Sequence, residues 1–202
     1  MGGHTHTYFE QRYAEGGAPW DIGKPQPEIV ALEGAGAFGA RVLDVGCGTG
    51  ENALFLASRG HDVTGVDVVL AAIEAARAKA DSRGLHVRFE VGDVLHVLPR
   101  LGESFDAVTD VGFFHALSDE QRADFAEVLA GVLAPGGIYA MLCFSDRVPG
   151  YLGPRRVSEA EIRATFGAVP RFRVREIRSA ELHTAVATMP IVDANLAIVE
   201  NP

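Results

Sequence analysis

Glycine occupies every second position from Gly46 to Gly50, directly after the apolar run Arg41–Val45. A backbone turns this tightly, and comes this close to what lies beyond it, only where side chains are absent and left-handed angles are free. An apolar run ending in such a turn predicts a buried strand. The residues after it, Glu51–Arg59, carry apolar Leu54, Phe55 and Ala57, stop at Gly60, and predict a helix. The same alternation then repeats along the chain. Asp62–Val66 reads as a strand closing at Asp67, and alanine-rich Leu70–Arg83 as a helix stopped by Gly84. His86–Val91 and Phe105–Val111 read as strands. A helix follows over Ser118–Leu133, opened by a capping box from Ser118 and Gln121. Pro135-Gly136-Gly137 reads as a turn before Ile138–Phe144, and Ser158–Phe166 as a helix. Phe172–Ile177 and Ala194–Val199 are late strands with no helix between them. Such alternation predicts an α/β fold: a mostly parallel sheet with helices on both faces and an antiparallel last strand.

With 202 residues the chain has the length of one domain, read as an extension over 1–39 and a core over 40–202. Its formal charge of -9 argues against a nucleic-acid partner, because phosphate binding requires a basic face. Met1 to Trp20 is polar and lacks the apolar core of a signal peptide. Apolar stretches elsewhere are broken well short of the ~18 residues a membrane span needs. Cys47 and Cys143 have neither zinc nor redox spacing and read as free thiols, so a cytoplasmic protein without membrane association is expected.

The charges around the glycine turn bear on its ligand. A dinucleotide pyrophosphate would sit at the helix N-terminus, where Asp44 and Glu51 flank the turn and oppose an anion. A cationic ligand suits those carboxylates better. Asp67 follows Gly50 by 17 residues, about the distance that places an acidic group on a ribose. Position 51 is Glu, so the dinucleotide spacing is not met, and no Lys-Ser or Lys-Thr follows for a phosphate loop.

Several segments together resemble the class I S-adenosylmethionine (SAM)-dependent methyltransferases. Leu43–Gly50 resembles their first motif and Val66-Asp67 the acidic end of the second strand. Gly92-Asp93-Val94 is similar to the position whose Asp meets the adenine amino group. Asp110–Leu117 resembles the fourth motif, and Leu133–Gly137 the turn before the fifth strand. The resemblance implies a Rossmann-like sheet of seven strands, SAM as the cofactor, and a small-molecule acceptor. It implies cofactor contacts from Trp20, Asp44, Gly46, Cys47, Gly48, Asp67, Val68, Gly92, Asp93, Val94, Asp110 and Val111. Pro19–Pro27 is similar to the W-D-x-G-x-P lid of the thiopurine and halide/thiol methyltransferase group. Together with Cys143–Asp146 and Pro149-Gly150, it is similar to actinobacterial enzymes that methylate, and so detoxify, heterocyclic toxins such as hydroxyquinolones. Asn195 departs from the aromatic those enzymes tend to carry in the last strand.

Methyl transfer from a sulfonium is an in-line displacement that asks for a dry, well-oriented pocket. Trp20, Phe113 and Phe114 are candidates for its aromatic walls, with core packing the competing role for the two phenylalanines. His115 is the candidate general base, with packing near the cofactor as its alternative. Tyr8, Tyr13, Tyr151 and Asp146 are candidates for the acceptor side. His4-Thr5-His6 lacks carboxylate partners, and no metal is expected. Two other classes stay open, a nicotinamide-binding oxidoreductase and a silent SAM-binding protein. Oligomeric state stays open too, a homodimer included.

Overall fold

The computed structural model describes residues 6–16, 18–150 and 153–202. Two helices, α1 (His6–Ala14) and α2 (Pro27–Gly34), precede the first strand, β1 (Arg41–Val45). The core then alternates through α3 (Glu51–Ser58), β2 (Asp62–Asp67), α4 (Leu70–Arg83), β3 (Arg88–Val91), α5 (Val94–Leu101) and β4 (Phe105–Val111). It continues with α6 (Asp119–Val132), β5 (Leu133–Phe144), α7 (Glu159–Gly167), β6 (Arg173–His183) and β7 (Ile191–Glu200).

The strands form one sheet in the order β3-β2-β1-β4-β5-β7-β6. β1 to β5 pair in parallel, while β7 runs antiparallel to both β5 and β6. The expected Rossmann-like sheet with its reversed last strand is therefore present. Helices cover both faces, which is why the Ile138–Phe144 part of β5 reads as a continuous apolar run instead of an alternating one. One face packs Leu98, Phe125, Leu129 and Phe166 against β1, β4 and β5. The other packs Ile29, Leu54, Ile73 and Phe89 against β1 and β2. Strand order reverses between β1 and β4, and the turns leaving these two strands open a crevice at their carboxyl ends.

Three features differ from the sequence expectation. Helix α5 is not predicted by the pattern, since Pro99 near its end reads as a breaker. It forms because Asp93 caps it, Oδ1 accepting from Leu95 N at 2.9 Å, and Pro99 falls late in a short helix. The Pro135-Gly136-Gly137 turn lies inside β5, where it bulges the register between Phe105–Leu133 and Ala107–Ile138. The late strands run further than expected, pairing from Arg173–Glu200 to His183–Ile191.

Candidate functional site

The turn after β1 uses its glycines at positive φ, +63° at Gly46, +54° at Gly48 and +83° at Gly50. Close approach fixes two of them as well. A Cβ on Gly46 would stand 2.9 Å from Phe113 Cβ, and one on Gly48 would stand 2.7 Å from Tyr13 Oη. Asp67, at the end of β2, ties the turn to the next helix. Its carboxylate accepts from Gly48 N at 2.8 Å and from Val69 N at 2.9 Å. Cys47 N donates to Val66 O, and the Cys47 thiol is packed under the turn with its ionisation suppressed by burial. Gly92, with φ of +155°, donates its N–H to Asp67 O, so the rim at the end of β3 is joined to the same carboxylate residue.

Asp44 lies fully beneath this turn. Its Oδ1 accepts from Thr109 Oγ1 at 2.8 Å, while Oδ2 makes no hydrogen bond of good geometry among the described residues, the Ala53 backbone N–H standing close enough only to lower the carboxyl's pKa. Burial pushes its pKa up to about 7, against the opposing Thr109 hydroxyl. Burial likewise raises Asp67. Glu51 was expected to share in this negative field and does not. It is held below the ordinary carboxylate range by Arg83 and Lys79, with Lys79 Nζ at 2.8 Å and Arg83 Nη1 at 2.9 Å. The negative charge that faces the crevice is thus that of Asp44 and Asp67. A buried carboxylate oxygen without a good hydrogen bond fits a positively charged group nearby.

In the segment before β1, α1 and the strap that follows it pack over the turn. Tyr8, Phe9 and Tyr13 of α1 surround Trp20, with ring centroids 6.3, 5.6 and 5.9 Å from it. Trp20 Nε1 donates to Tyr13 Oη at 2.8 Å, and this hydroxyl is the atom above Gly48. The strap between α1 and α2 is bolted down at several points. Thr49 Oγ1 donates to Asp21 Oδ2, and Gln26 N donates to Asn52 Oδ1. The buried Gln26 amide pairs with both backbone groups of His183, donating to its O at 2.9 Å and accepting from its N at 3.0 Å. Sequence reading missed Gln26 because a lone Gln before a proline carries no pattern.

The turn after β4 is organised by Asp110. This residue is 0% exposed, and its carboxylate accepts from Phe113 N, Phe114 N and Tyr139 Oη at 2.8, 3.0 and 2.7 Å. Its side chain is spent on shaping the turn, so any contact it makes with a ligand runs through the main chain. Phe114, expected on the acceptor side, is fully buried between Phe166 and the Arg122 guanidinium. Phe113 is half-buried beside Gly46. Val94, expected at the cofactor, packs into the core. Val68 and Val111 are half-buried at the ends of β2 and β4, and Asp93 turns its second oxygen toward His96 and His6 at 3.6 and 3.9 Å.

His115 sits at the base of the crevice on a 3-10 turn, edge-on to Phe144. Its Nδ1 accepts from Phe144 N at 3.1 Å. The proton of the neutral ring is therefore on Nε2, beside Gly112, and Nδ1 is engaged by the main chain in this arrangement. Asp146, expected to orient an acceptor, is exposed in the turn after β5. His4 and Tyr151 lie outside the described residues. Among the described residues no cluster of three His, Cys, Asp or Glu side chains is arranged for a metal, and no helix is long and apolar enough to cross a membrane.

The chain matches the methyltransferase-domain family over residues 42–137. It is 39% identical to a 2-heptyl-1-hydroxyquinolin-4(1H)-one methyltransferase of Mycobacteroides abscessus, over 72% of this chain and 65% of the relative. It is 32% identical to a probable thiol methyltransferase of Arabidopsis thaliana, over 67% of this chain and 61% of the relative. The matched part thus spans a little under two thirds of the length of either relative. Among solved structures it resembles one described under the conversion of a disulfide bond into a thioacetal group during echinomycin biosynthesis. That likeness has a TM-score of 0.88 and 34% identity, over 98% of this chain and 92% of the other. The chain belongs to the class I SAM-dependent methyltransferases.

Proposed function

We propose that this protein transfers a methyl group from SAM to a small, planar, hydroxylated heterocycle. The observation that carries the reading is the buried Asp44 oxygen without a hydrogen bond beneath a glycine turn whose Gly48 lies under the Tyr13 hydroxyl held by Trp20. SAM supplies an electrophilic methyl group on a sulfonium, and its methionyl ammonium adds a second positive charge. The turn Gly46–Gly48 and the Asp44 carboxylate would hold the methionyl end, with Asp67 accepting from the ribose hydroxyls. Gly92, Asp93, Val68 and Val111 would frame the adenine. Trp20 and Tyr13 shut water out, and their ring faces favour positive charge. Phe113 and His115 meet the acceptor, which gives up its hydroxyl proton to solvent and is methylated as the anion, His115 orienting its oxygen as an Nε2–H donor while the ring takes no proton.

The hydroxyquinolone acceptor of the mycobacterial relative supports a heterocycle, and the plant relative's name supports a thiol as the second reading. A nicotinamide reading is disfavoured by Asp44, which would oppose a pyrophosphate. Two free cysteines suit a reducing compartment such as the cytoplasm. Calorimetry with SAM, its demethylated product and NAD tests the reading. Micromolar binding of both sulfur ligands, lost in Asp67→Asn, and none of NAD is expected. Binding of NAD alone would overturn it.

A further inference from the structure

Asn195 lies in the middle of β7, at a position 0% exposed, between apolar Ala194 and Leu196. A buried amide is costly unless both of its ends are paired, and an apolar residue there would avoid that cost. Both ends are paired here, and the two partners lie on opposite stems of one loop. Asn195 Oδ1 accepts from Arg147 Nη1 at 3.1 Å, on the stem leaving β5. Asn195 Nδ2 donates to Val157 O at 2.9 Å, on the stem returning to α7. Arg147 completes the tie through Nη2, which donates to Ala194 O at 2.9 Å and Ser179 Oγ at 3.1 Å. The stems also meet through Val157 N, which donates to Phe144 O at 2.9 Å, and the two form a parallel bridge at Ser145 and Val157.

The tied stems begin at the site. Phe144, the last residue of β5, gives its N–H to His115 Nδ1 and its ring to the edge of the imidazole. A shift of the stem is therefore a shift of the hydrogen bond that sets the His115 tautomer. We infer that Asn195 and Arg147 form a pin that holds the two stems, leaving β5 and returning to α7, against Phe144 and, through it, His115, making both positioning residues for the methyl acceptor. The inference rests on the methyl-transfer reading above.

Two measurements on the full chain test it. Arg147→Ala removes the exposed half of the pin without opening the core, and Asn195→Leu removes the buried half at similar volume. Amide hydrogen exchange over 145–150 and 153–158 should speed up on the order of tenfold in Arg147→Ala, with the rest of the sheet unchanged. With 2-heptyl-1-hydroxyquinolin-4-one as acceptor, its KM should rise on the order of tenfold while kcat and the SAM Kd stay within about twofold. Arg147→Lys should recover part of the loss. Unchanged exchange in both variants would overturn the pin. Faster exchange with an unchanged acceptor KM, or a fall in SAM affinity equal to the rise in KM, would overturn the positioning role. Wild-type protein that turns over no acceptor would remove the methyl-transfer reading and the positioning role with it, while the exchange arm would still report the pin itself.

Discussion

At Asp44, burial and charge pull in opposite directions. The carboxyl is pushed up to about 7 by loss of solvent, yet one of its oxygens makes no hydrogen bond of good geometry among the described residues. A cationic ligand favours the ionised form, so its binding must expel a proton wherever Asp44 still holds one. SAM affinity should therefore be lowest at pH 6, rise toward pH 8 and level off above about 7. The expected loss at pH 6 is about tenfold, one pH unit below the raised value. Calorimetry at three pH values, in buffers of different ionisation enthalpy, reads both the affinity and the released proton, and a flat profile would speak against Asp44 as the cation's partner. Gly48 makes a steric prediction at the same scale. Gly48→Ala places a methyl 2.7 Å from Tyr13 Oη at a φ of +54°, so about 1 kcal/mol of stability is lost. The lid is displaced as well, which the fluorescence of Trp20, the single tryptophan, should report as a red shift.

The element that most shapes the acceptor side is the turn between β4 and α6. Three donors converge on Asp110, so Asp110→Asn sets an NH2 group against a donor inside the core. Its cost should be about 1–3 kcal/mol in urea unfolding at pH 8, where Asp110 is ionised, with Phe113 and His115 loosened together. No change in the midpoint would mean that the turn is held by Phe114 and Arg122 alone. This turn also shows what sequence can and cannot reveal. The glycine run, the acidic strand end at Asp67 and the aromatic strap are local patterns, and each lies where the strand–helix alternation puts it. Helix α5 was hidden because Pro99 outweighs, in a short window, the cap that Asp93 provides. The tautomer of His115 was out of reach, since it depends on Phe144 N, 29 positions away along the chain. The neutralisation of Glu51 depends on Lys79 and Arg83 one helix later, and the burial of Phe114 on Phe166 from α7. Contacts between elements decide these cases, and periodicity says nothing about them.

Across the whole molecule, Asp44 and Asp110 are both pushed up to about 7 by burial. Between pH 4 and 7 the folded chain then binds more protons than the unfolded one, so unfolding free energy falls as pH rises through that window. Glu51 and Glu161, both lowered, act in the opposite sense, and their contribution is lost only as pH drops below the ordinary carboxylate range. The ligand-free protein should therefore have a higher urea midpoint at pH 5.5 than at pH 8, the reverse of its cofactor affinity. An equal or higher midpoint at pH 8 would contradict the buried, protonated state of the two aspartates. Above about pH 7 the site thus holds a buried negative charge that a cationic ligand would relieve, beneath the turn at the reversal of strand order. Whether that arrangement moves a methyl group is decided by incubating the protein with methyl-labelled SAM and 2-heptyl-1-hydroxyquinolin-4-one, with a thiol and iodide in parallel. Label in the heterocycle, abolished by Asp67→Asn and reduced by His115→Ala, is the expected result; SAM bound but no label in any acceptor would contradict the methyltransferase reading.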